Sequence, residues 1–236
     1  MIRTLFVVIY LAAAVILCLP WLVLWTVMRR NPDFMYGVAM KAARLGNRIA
    51  GVRVRVEGVE KIPAGACIFV ANHTSNVDPF ALFPAIPRRV ATVAKKSLFR
   101  IPIFAAGMRL ANFIPVDRAA REGTAVVEAA VRDLKHGVSL IIFSEGTRSP
   151  DGRLRPFKRG AFTMAIEAGV PIVPVAIIGA HKRMLRGQWR LHPGEVTVQF
   201  VPAVDASRYT MDSRADLISR VESLVATALP PDQRPE

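Results

Sequence analysis

The order of apolar and polar positions divides the chain into an apolar start, one amphipathic helix and a long region of alternating strands and helices. Residues 5–28 are 24 consecutive positions without a charged side chain. As one helix they would extend about 36 Å, more than the hydrocarbon core of a bilayer at about 30 Å. Pro20 predicts a kink or a break in this helix. A full span and a re-entrant insertion both agree with the pattern, and either one attaches the chain to a membrane.

The amphipathic helix follows directly, with Asn31 as its predicted N-cap and Pro32 at its first position. At 100° per residue its apolar positions form one stripe, and its basic positions form a second stripe about a quarter-turn away. The apolar stripe comprises Phe34, Val38, Ala42, Leu45 and Ile49, and the basic one Lys41, Arg44 and Arg48. This pattern favours a helix lying in the membrane interface. The alternative is a core-packing helix with a solvated basic edge.

From Gly51 onward the hydrophobic period alternates between that of strands and that of helices. The predicted strands are VRVRVEG, CIFVAN, TVAKK, NFIPVD, VSLIIFS, PIVPVAII and EVTVQFV. The predicted helices cover residues 79–84, 97–110, 119–136, 159–168 and 213–228. This alternation predicts an α/β domain with a mostly parallel sheet flanked by helices. We therefore expect membrane-inserting and interfacial helices over residues 1–50, one domain over 51–229 and a flexible tail over 230–236.

Charge and hydropathy together narrow the class of protein. The net charge is +14, while 52% of the residues are hydrophobic and the mean hydropathy is +0.32. A nucleic-acid binder would explain the charge but not the hydropathy, whereas a protein at an anionic membrane surface explains both. Eight Lys and Arg residues lie between residues 29 and 61. The positive-inside rule therefore predicts a main domain on the cytoplasmic side of the cell membrane.

His73 and Asp78 are the first candidates for chemistry, because they directly follow the apolar strand CIFVAN. In a regular helix these positions would point about 140° apart, but in a strand-to-helix turn the side chains can meet. A carboxylate on one imidazole nitrogen fixes the tautomer and leaves the other nitrogen to accept a proton. Asp78 and Pro79 also resemble an N-cap and a first helical residue. The alternative is a satisfied loop histidine beside a helix cap.

Other motifs for catalysis are absent from the sequence. It contains no G-x-S-x-G segment, which would position a nucleophilic serine. The remaining histidines do not have metal-ligand spacing, so no metal site is expected. These are His136, His181 and His192. The His–Asp pair is therefore interpreted as a base that activates a hydroxyl group of the substrate.

The segment FSEGTRS, residues 143–149, follows the most apolar strand and is the candidate phosphate site. Ligands bind at the carboxyl ends of strands in such sheets. Gly146 lets the backbone approach a ligand, and the guanidinium of Arg148 suits a phosphate. Alternatively, Arg148 braces Glu145 in a structural turn. A basic group before the next helix is either a second anion contact or a solvated surface. It comprises Arg153, Arg155, Lys158 and Arg159.

These motifs occur together in an order that resembles the glycerolipid acyltransferases, specifically the 1-acylglycerol-3-phosphate acyltransferases. The four similar blocks are NHTSNVD, NFIPVDR, FSEGTR and VPIVPV, within residues 50–200. The resemblance implies that His73 is the general base and that Asp78 orients it. It also implies an acceptor site that involves Arg118, Glu145, Gly146, Thr147 and Arg148.

The implied reaction moves an acyl chain from a thioester to the sn-2 hydroxyl of lysophosphatidate and forms phosphatidic acid. The implied co-substrate is acyl-CoA or acyl carrier protein, with no further cofactor, and the implied partners are membrane lipids rather than nucleic acid. The same chemistry on another acceptor, such as a lyso-ornithine lipid or a lysophospholipid, remains open. A protein of another class, a non-enzymatic basic membrane-surface protein or a nucleic-acid binder, is the more distant alternative.

Overall fold

The computed structural model of the protein describes residues 2–117 and 123–235. Seven strands within these ranges form one sheet. They are β1 (Val52–Glu57), β2 (Ile68–Ala71), β3 (Val90–Lys95), β4 (Ile114–Val116), β5 (Ser139–Phe143), β6 (Ile172–Ile178) and β7 (Gly194–Phe200). All seven predicted strands are therefore present.

The strand order across the sheet is β1-β7-β6-β2-β5-β3-β4. Only the contact between β6 and β7 is antiparallel among these neighbours, and every other pair is parallel. The predicted mostly parallel sheet is confirmed. Strands β2 and β6 lie in its middle because their continuous apolar runs can be covered on both faces.

Eight α-helices surround the sheet in the described ranges. They are α1 (Ile2–Ala13), α2 (Leu19–Arg29), α3 (Asp33–Ala50), α4 (Val77–Ala85), α5 (Pro102–Leu110), α6 (Gly123–Lys135), α7 (Gly160–Ala168) and α8 (Arg214–Ala228). Alternate residues of β2 face opposite layers, as the period of a strand requires. Phe69 belongs to a core shared with α3 and α4, and Ile68 belongs to a core shared with α6, α7 and α8.

The apolar start of the chain is one continuous helical segment, Ile2–Arg29, of 28 residues. A π-helical turn, Ala14–Cys18, joins α1 to α2 just before Pro20. Proline lacks the N–H that an α-helical bond would need, and a π turn locally changes the hydrogen-bonding pattern. The expected break is therefore absent, and the helix continues past the proline.

This helical segment lies along the rest of the molecule. The N–H of Leu191 donates to the hydroxyl of Thr4 at 3.0 Å, and the hydroxyl of Tyr10 donates to the carbonyl of Ala42 at 3.1 Å. Further along, Leu19 packs against the glycine of α5. By length and composition the segment could cross a membrane, but these contacts hold it against the domain at several points along its length.

Helix α3 combines contact with α1 and an exposed surface. The side chain of Asn31 accepts the N–H of Asp33 at 2.8 Å. The helix nevertheless begins at Asp33 with Pro32 as its N-cap, so the two predicted start positions are wrong by one residue. The predicted apolar stripe is partly covered by α1, while Phe34 at its start and Leu45 near its end remain exposed. The stripe thus packs against α1 in part and presents apolar surface at Phe34 and Leu45, and its expected place in the membrane interface stays a prediction.

The C-terminal segment differs from the expected flexible tail. Residues Pro231–Gln233 form a 3₁₀ turn, and the side chain of Gln233 is only 1% exposed. Gln233 accepts the N–H of Gly179 with its side chain and the N–H of Leu154 with its carbonyl. The expectation was wrong because these bonds are made to residues far away in the sequence, which the polar composition of the segment does not reveal.

Candidate active site

Two neighbouring parallel strands bring the His–Asp motif and the FSEGTRS segment together. Strands β2 and β5 pair with Ala71 opposite Phe143. His73 and Glu145 each follow two residues beyond this last pair, so they emerge side by side at the carboxyl end of the sheet. This is the edge at which ligands bind in open α/β sheets.

The side chains of His73 and Asp78 form the predicted pair. Nδ1 of His73 lies 2.7 Å from Oδ2 of Asp78, and the exposed fractions of the two side chains are 14% and 0%. With Nδ1 bonded to the carboxylate, Nε2 is the nitrogen that can accept a proton from a bound hydroxyl. The same carboxylate would stabilise the imidazolium that results.

The turn before α4 explains how two residues five positions apart can meet. Oδ2 of Asp78 also accepts the N–H groups of Thr74 at 2.7 Å and Ser75 at 2.8 Å. Helix α4 begins at Val77, with Asn76 before it, so Asp78 lies within the first turn. The expectation that Asp78 is the N-cap was wrong, because its side chain reaches back along the chain to close the turn.

Further bonds fix the position of His73 within this turn. Its carbonyl accepts the N–H of Ser149 at 2.7 Å, and its ring stacks on that of Phe143 with 4.3 Å between the centroids. The preceding residue, Asn72, is fully buried and makes two bonds with the backbone of Ile177 on β6, at 2.7 and 3.0 Å. The imidazole is therefore positioned by stacking on Phe143 of β5 and by the bonds of the preceding Asn72 to β6.

Glu145 lies beneath His73, in a position that its predicted role in acceptor binding did not suggest. It is 3% exposed, and its Oε1 accepts the N–H of His73 at 2.9 Å. Its pKa is raised to about 8, first because burial removes the carboxyl group from water, with the charge of Asp78 adding to the effect. The N–H of His73 and the charge of Arg155 lower the pKa and limit the shift.

The contacts of Glu145 also bear on Arg148. Among the residues that the structure describes, no ion pair joins Glu145 to Arg148, and Arg155 provides the nearby positive charge. Arg148 is half-buried, and its carbonyl accepts a bond from Arg186 at 3.0 Å. Bracing of Glu145 therefore does not account for Arg148. Arg148 directly precedes Ser149, whose N–H donates to the His73 carbonyl.

Gly146 and Lys158 meet beside this loop. Gly146 has φ +73°, a conformation that favours glycine, and a Cβ there would lie 2.9 Å from three side-chain atoms of Lys158. The N–H of Lys158 donates to the carbonyl of Ser144 at 2.7 Å. Lys158, from the basic group before α7, thus contacts the FSEGTRS segment. Thr147, the residue after Gly146, is half-buried and lies in the same loop. Arg118 lies outside the described residues.

A groove of about 250 Å³ opens next to these residues. One side is formed by Phe143, Ser144, Gly146 and Lys158, and the rest of its wall is mainly apolar. The remaining lining residues are Thr92, Val93, Val116, Val126, Ile142, Gly160, Ala161 and Met164. Because Phe143 also stacks on His73, the groove begins beside the candidate base and combines a cationic end with an apolar wall.

Comparison with known proteins decides the family. Residues 53–178 match the family model described as Acyltransferase. A protein from Limnanthes douglasii named 1-acyl-sn-glycerol-3-phosphate acyltransferase is 32% identical over 214 residues, which are 89% of this chain and 75% of that protein. The chain belongs to the acyltransferase family. A protein of the same name from Escherichia coli is 37% identical over 164 residues, 68% of this chain and 66% of its own.

The fold of this acyltransferase also has a counterpart among solved structures. The crystal structure of the 1-acyl-sn-glycerophosphate acyltransferase from Thermotoga maritima matches with a TM-score of 0.85 and 28% identity. The match covers 96% of this chain and 93% of that one. The likeness therefore includes the N-terminal helices as well as the sheet.

Sequence reasoning about this acyltransferase missed the supporting residues Asn72 and Ser75. Both are fully buried polar side chains in the His–Asp block, and the hydroxyl of Ser75 donates to the carbonyl of Met184 at 2.7 Å. Their position inside the motif was the available signal, because short polar residues often bond to nearby backbone. Their actual partners lie more than 100 residues away, beyond the reach of a local pattern.

Proposed function

We propose that this acyltransferase transfers an acyl chain from a thioester to the sn-2 hydroxyl of 1-acyl-glycerol-3-phosphate and forms phosphatidic acid. The observation that carries the proposal is the 2.7 Å contact between His73 and Asp78 at the carboxyl end of the sheet. Several relatives bear the name of this activity over most of the chain.

His73 acts as the general base in the proposed mechanism. Its Nε2 takes the proton of the acceptor hydroxyl as that oxygen attacks the thioester carbonyl. The new C–O bond forms, the C–S bond breaks, and the departing thiolate receives the proton from the imidazolium. Asp78 holds the ring in one tautomer and stabilises its positive charge. Both substrates are bound at once, so positioning lowers the barrier without a covalent acyl-enzyme.

The acceptor phosphate binds at the FSEGTRS segment in this proposal. Gly146 allows close approach of the backbone, Arg148 supplies a planar fork of donors, and Lys158 adds a positive charge over Gly146. Thr147 contributes its N–H. Arg118, from the second block, is proposed as a further phosphate ligand on the resemblance alone.

The acyl donor is a thioester of coenzyme A or of acyl carrier protein. The apolar wall of the groove beside Phe143 suits an alkyl chain, and its opening next to His73 would bring a chain end within reach of the base. Since the thiol leaves as a separate product, no resident cofactor takes part in these steps.

The outer face of the N-terminal helix is proposed to lie in the membrane interface. Thirteen large apolar side chains on this helix are exposed, and even partial burial of them would supply on the order of 10 kcal/mol. They are Ile2, Leu5, Phe6, Val8, Ile9, Val15, Ile16, Leu17, Trp21, Leu24, Trp25, Val27 and Met28. Because the helix lies along the domain, such contact brings the site to the lipids. The basic residues after it favour the cytoplasmic side.

The proposal is tested by offering purified enzyme a set of lysolipid acceptors together with both thioester donors. Lysophosphatidate should be acylated at sn-2 with a kcat/KM at least about 10-fold above those of lysophosphatidylcholine and a lyso-ornithine lipid, because neither has a terminal phosphate. The His73→Ala variant provides the blank. If another lysolipid is acylated preferentially, that lysolipid is the acceptor and the proposed reaction type stands. If none of the lysolipids is acylated, the proposal is overturned.

A further inference from the structure

A segment between β6 and β7, Met184–Leu191, connects the candidate active site to the N-terminal helix. At its start, the carbonyl of Met184 accepts the hydroxyl of Ser75, and Leu185 forms a β-bridge with the same serine. At its end, the N–H of Leu191 donates to Thr4 of α1 at 3.0 Å. Both bonds are made by backbone groups of the segment. They hold its first residue to the turn that contains His73 and its last residue to α1.

Trp189 projects from the middle of this segment. Its side chain is 61% exposed, although burial of a tryptophan would normally stabilise a fold. Arg186 and Arg190 flank it, and the sequence contains no acidic residue between Ala168 and Gly194. An indole flanked by guanidinium groups is the composition typical of a membrane interface, where one end of the ring is apolar and the other wet.

The surface of the segment is continuous with that of α1. Arg190 and Leu191 line one open surface cavity together with Ile2 and Arg3. Ile2 is 73% exposed and belongs to the apolar face of the N-terminal helix. Trp189 therefore lies one residue from a point where the segment meets that face, and the two arginines match the negative charge of anionic lipids.

We propose that the Met184–Leu191 segment is a second membrane contact, with Trp189 in the interface of an anionic bilayer and Arg186 and Arg190 on lipid phosphates. The inference rests on the proposed membrane location of the N-terminal helix. Through Ser75 and through the bond from Arg186 to the carbonyl of Arg148, the bilayer contact would steady both loops of the active site.

Fluorescence of a single tryptophan tests the contact directly. The chain has three tryptophans, so the W21F/W25F variant retains Trp189 alone. Vesicles of phosphatidylglycerol and phosphatidylcholine should shift its emission to shorter wavelength and protect it from acrylamide, and brominated phosphatidylcholine should quench it. Sedimentation of the same samples reports whether the protein is bound. Vesicle-bound protein whose Trp189 emission is unchanged would overturn the inference while leaving the membrane contact of the N-terminal helix intact.

Substitution provides the functional test. Trp189→Ser should weaken sedimentation with the anionic vesicles by roughly 10-fold, the effect of losing one apolar contact of about 1.4 kcal/mol. Acyl transfer to lysophosphatidate presented in those vesicles should fall in parallel, while transfer in detergent micelles stays near that of the wild type. Arg208→Gln is the matched control, since Arg208 is exposed and pairs with Asp205.

The outcomes separate this inference from the proposed function. Equal binding and equal vesicle activity of the Trp189→Ser variant would refute a membrane contact by the segment, even if the enzyme acylates lysophosphatidate. Conversely, the His73→Ala variant should keep the Trp189 emission shift after losing activity. An equal loss of activity in vesicles and in micelles would assign Trp189 to the stability of the active site instead.

Discussion

Replacement of Glu145 by glutamine tests the view that Glu145 is uncharged at neutral pH and that its carboxyl group positions His73. The amide oxygen can still accept the His73 N–H, which now lies 2.9 Å from Oε1. The side chain has almost the same size, so its buried position can be retained. The glutamine side chain cannot ionise, whereas the Glu145 carboxyl group can. Because the pKa of Glu145 is raised to about 8, this difference should appear in the pH dependence of the free energy of unfolding.

The sign follows from proton binding in the two states. Between the ordinary pKa of 4.5 and the folded pKa of about 8, the unfolded wild type has released the Glu145 proton while the folded protein retains it. The folded state then binds more protons, so this residue lowers the free energy of unfolding as the pH rises through that range. The slope approaches 1.36 kcal/mol per pH unit, so the change between pH 5.5 and 7.5 is on the order of 2–3 kcal/mol.

Glu145→Gln should therefore gain stability relative to the wild type as the pH is raised over this interval. For a chain of this size the relative gain corresponds to roughly 5–11 °C in melting temperature. Melting curves in one detergent over a series of pH values measure it, and Glu167→Gln on the exposed side of α7 serves as the control. A pH-independent difference between Glu145→Gln and wild type would refute the assignment of a buried neutral carboxyl group.

The kinetics of the same variant separate positioning from acceptor binding. At pH 7 Glu145→Gln should retain kcat and acceptor KM within about threefold, because the bond to the His73 backbone is preserved. Glu145→Ala should lower kcat, since the turn loses that bond. A large rise in acceptor KM with unchanged kcat in the glutamine variant would instead support the original prediction that this carboxyl group binds the acceptor.

Three further outcomes concern the site itself. His73→Ala should reduce kcat by about 10²–10⁴-fold, and adding Asp78→Asn to it should cost little more, as steady-state rates of the single and double variants would reveal; additive losses would mean independent roles. Arg148→Lys should raise the acceptor KM by roughly 10- to 150-fold, the equivalent of a charged hydrogen bond, while an increase confined to the thioester KM would move Arg148 to the donor. Gly146→Ala should lower both the melting temperature and kcat, because φ +73° disfavours alanine and the new methyl group would meet Lys158; unchanged values would show that the loop can shift freely.

The parts of this fold that the sequence predicts are those with a local signal. The seven strands and the helices between them repeat their periods within a few residues, so the alternation could be identified without long-range information. The pairing of His73 with Asp78 is likewise local, because both residues belong to one turn. Asp78 was nevertheless assigned to the wrong helix position, since an Asp–Pro pair resembles a cap whether or not its side chain turns back.

The parts that the sequence did not predict depend on contacts between distant segments. The bond between His73 and Glu145 joins residues 72 positions apart, and the bond between Thr4 and Leu191 spans 187 positions. The first ties the predicted acceptor ligand Glu145 to the backbone of the candidate base, and the second holds the N-terminal helix along the domain. Neither contact can be predicted from the composition of FSEGTRS or of the apolar run. The same residues would suit a glutamate that binds the acceptor and a helix that crosses the bilayer.

The hydrogen bonds on Asp78 explain how a charged base–carboxylate pair can work beside a lipid surface. A buried carboxylate loses its hydration, which makes its charge costly unless donors replace the water. Oδ2 of Asp78 receives three donors within 2.8 Å, two of them backbone N–H groups of the same turn. Because the turn supplies these donors at fixed positions, Oδ2 of Asp78 is solvated by protein groups rather than by water, and in the proposed mechanism its charge would stabilise the imidazolium of His73. The site can therefore be brought close to membrane lipids, where its substrates reside, without losing the electrostatic support on which proton transfer depends.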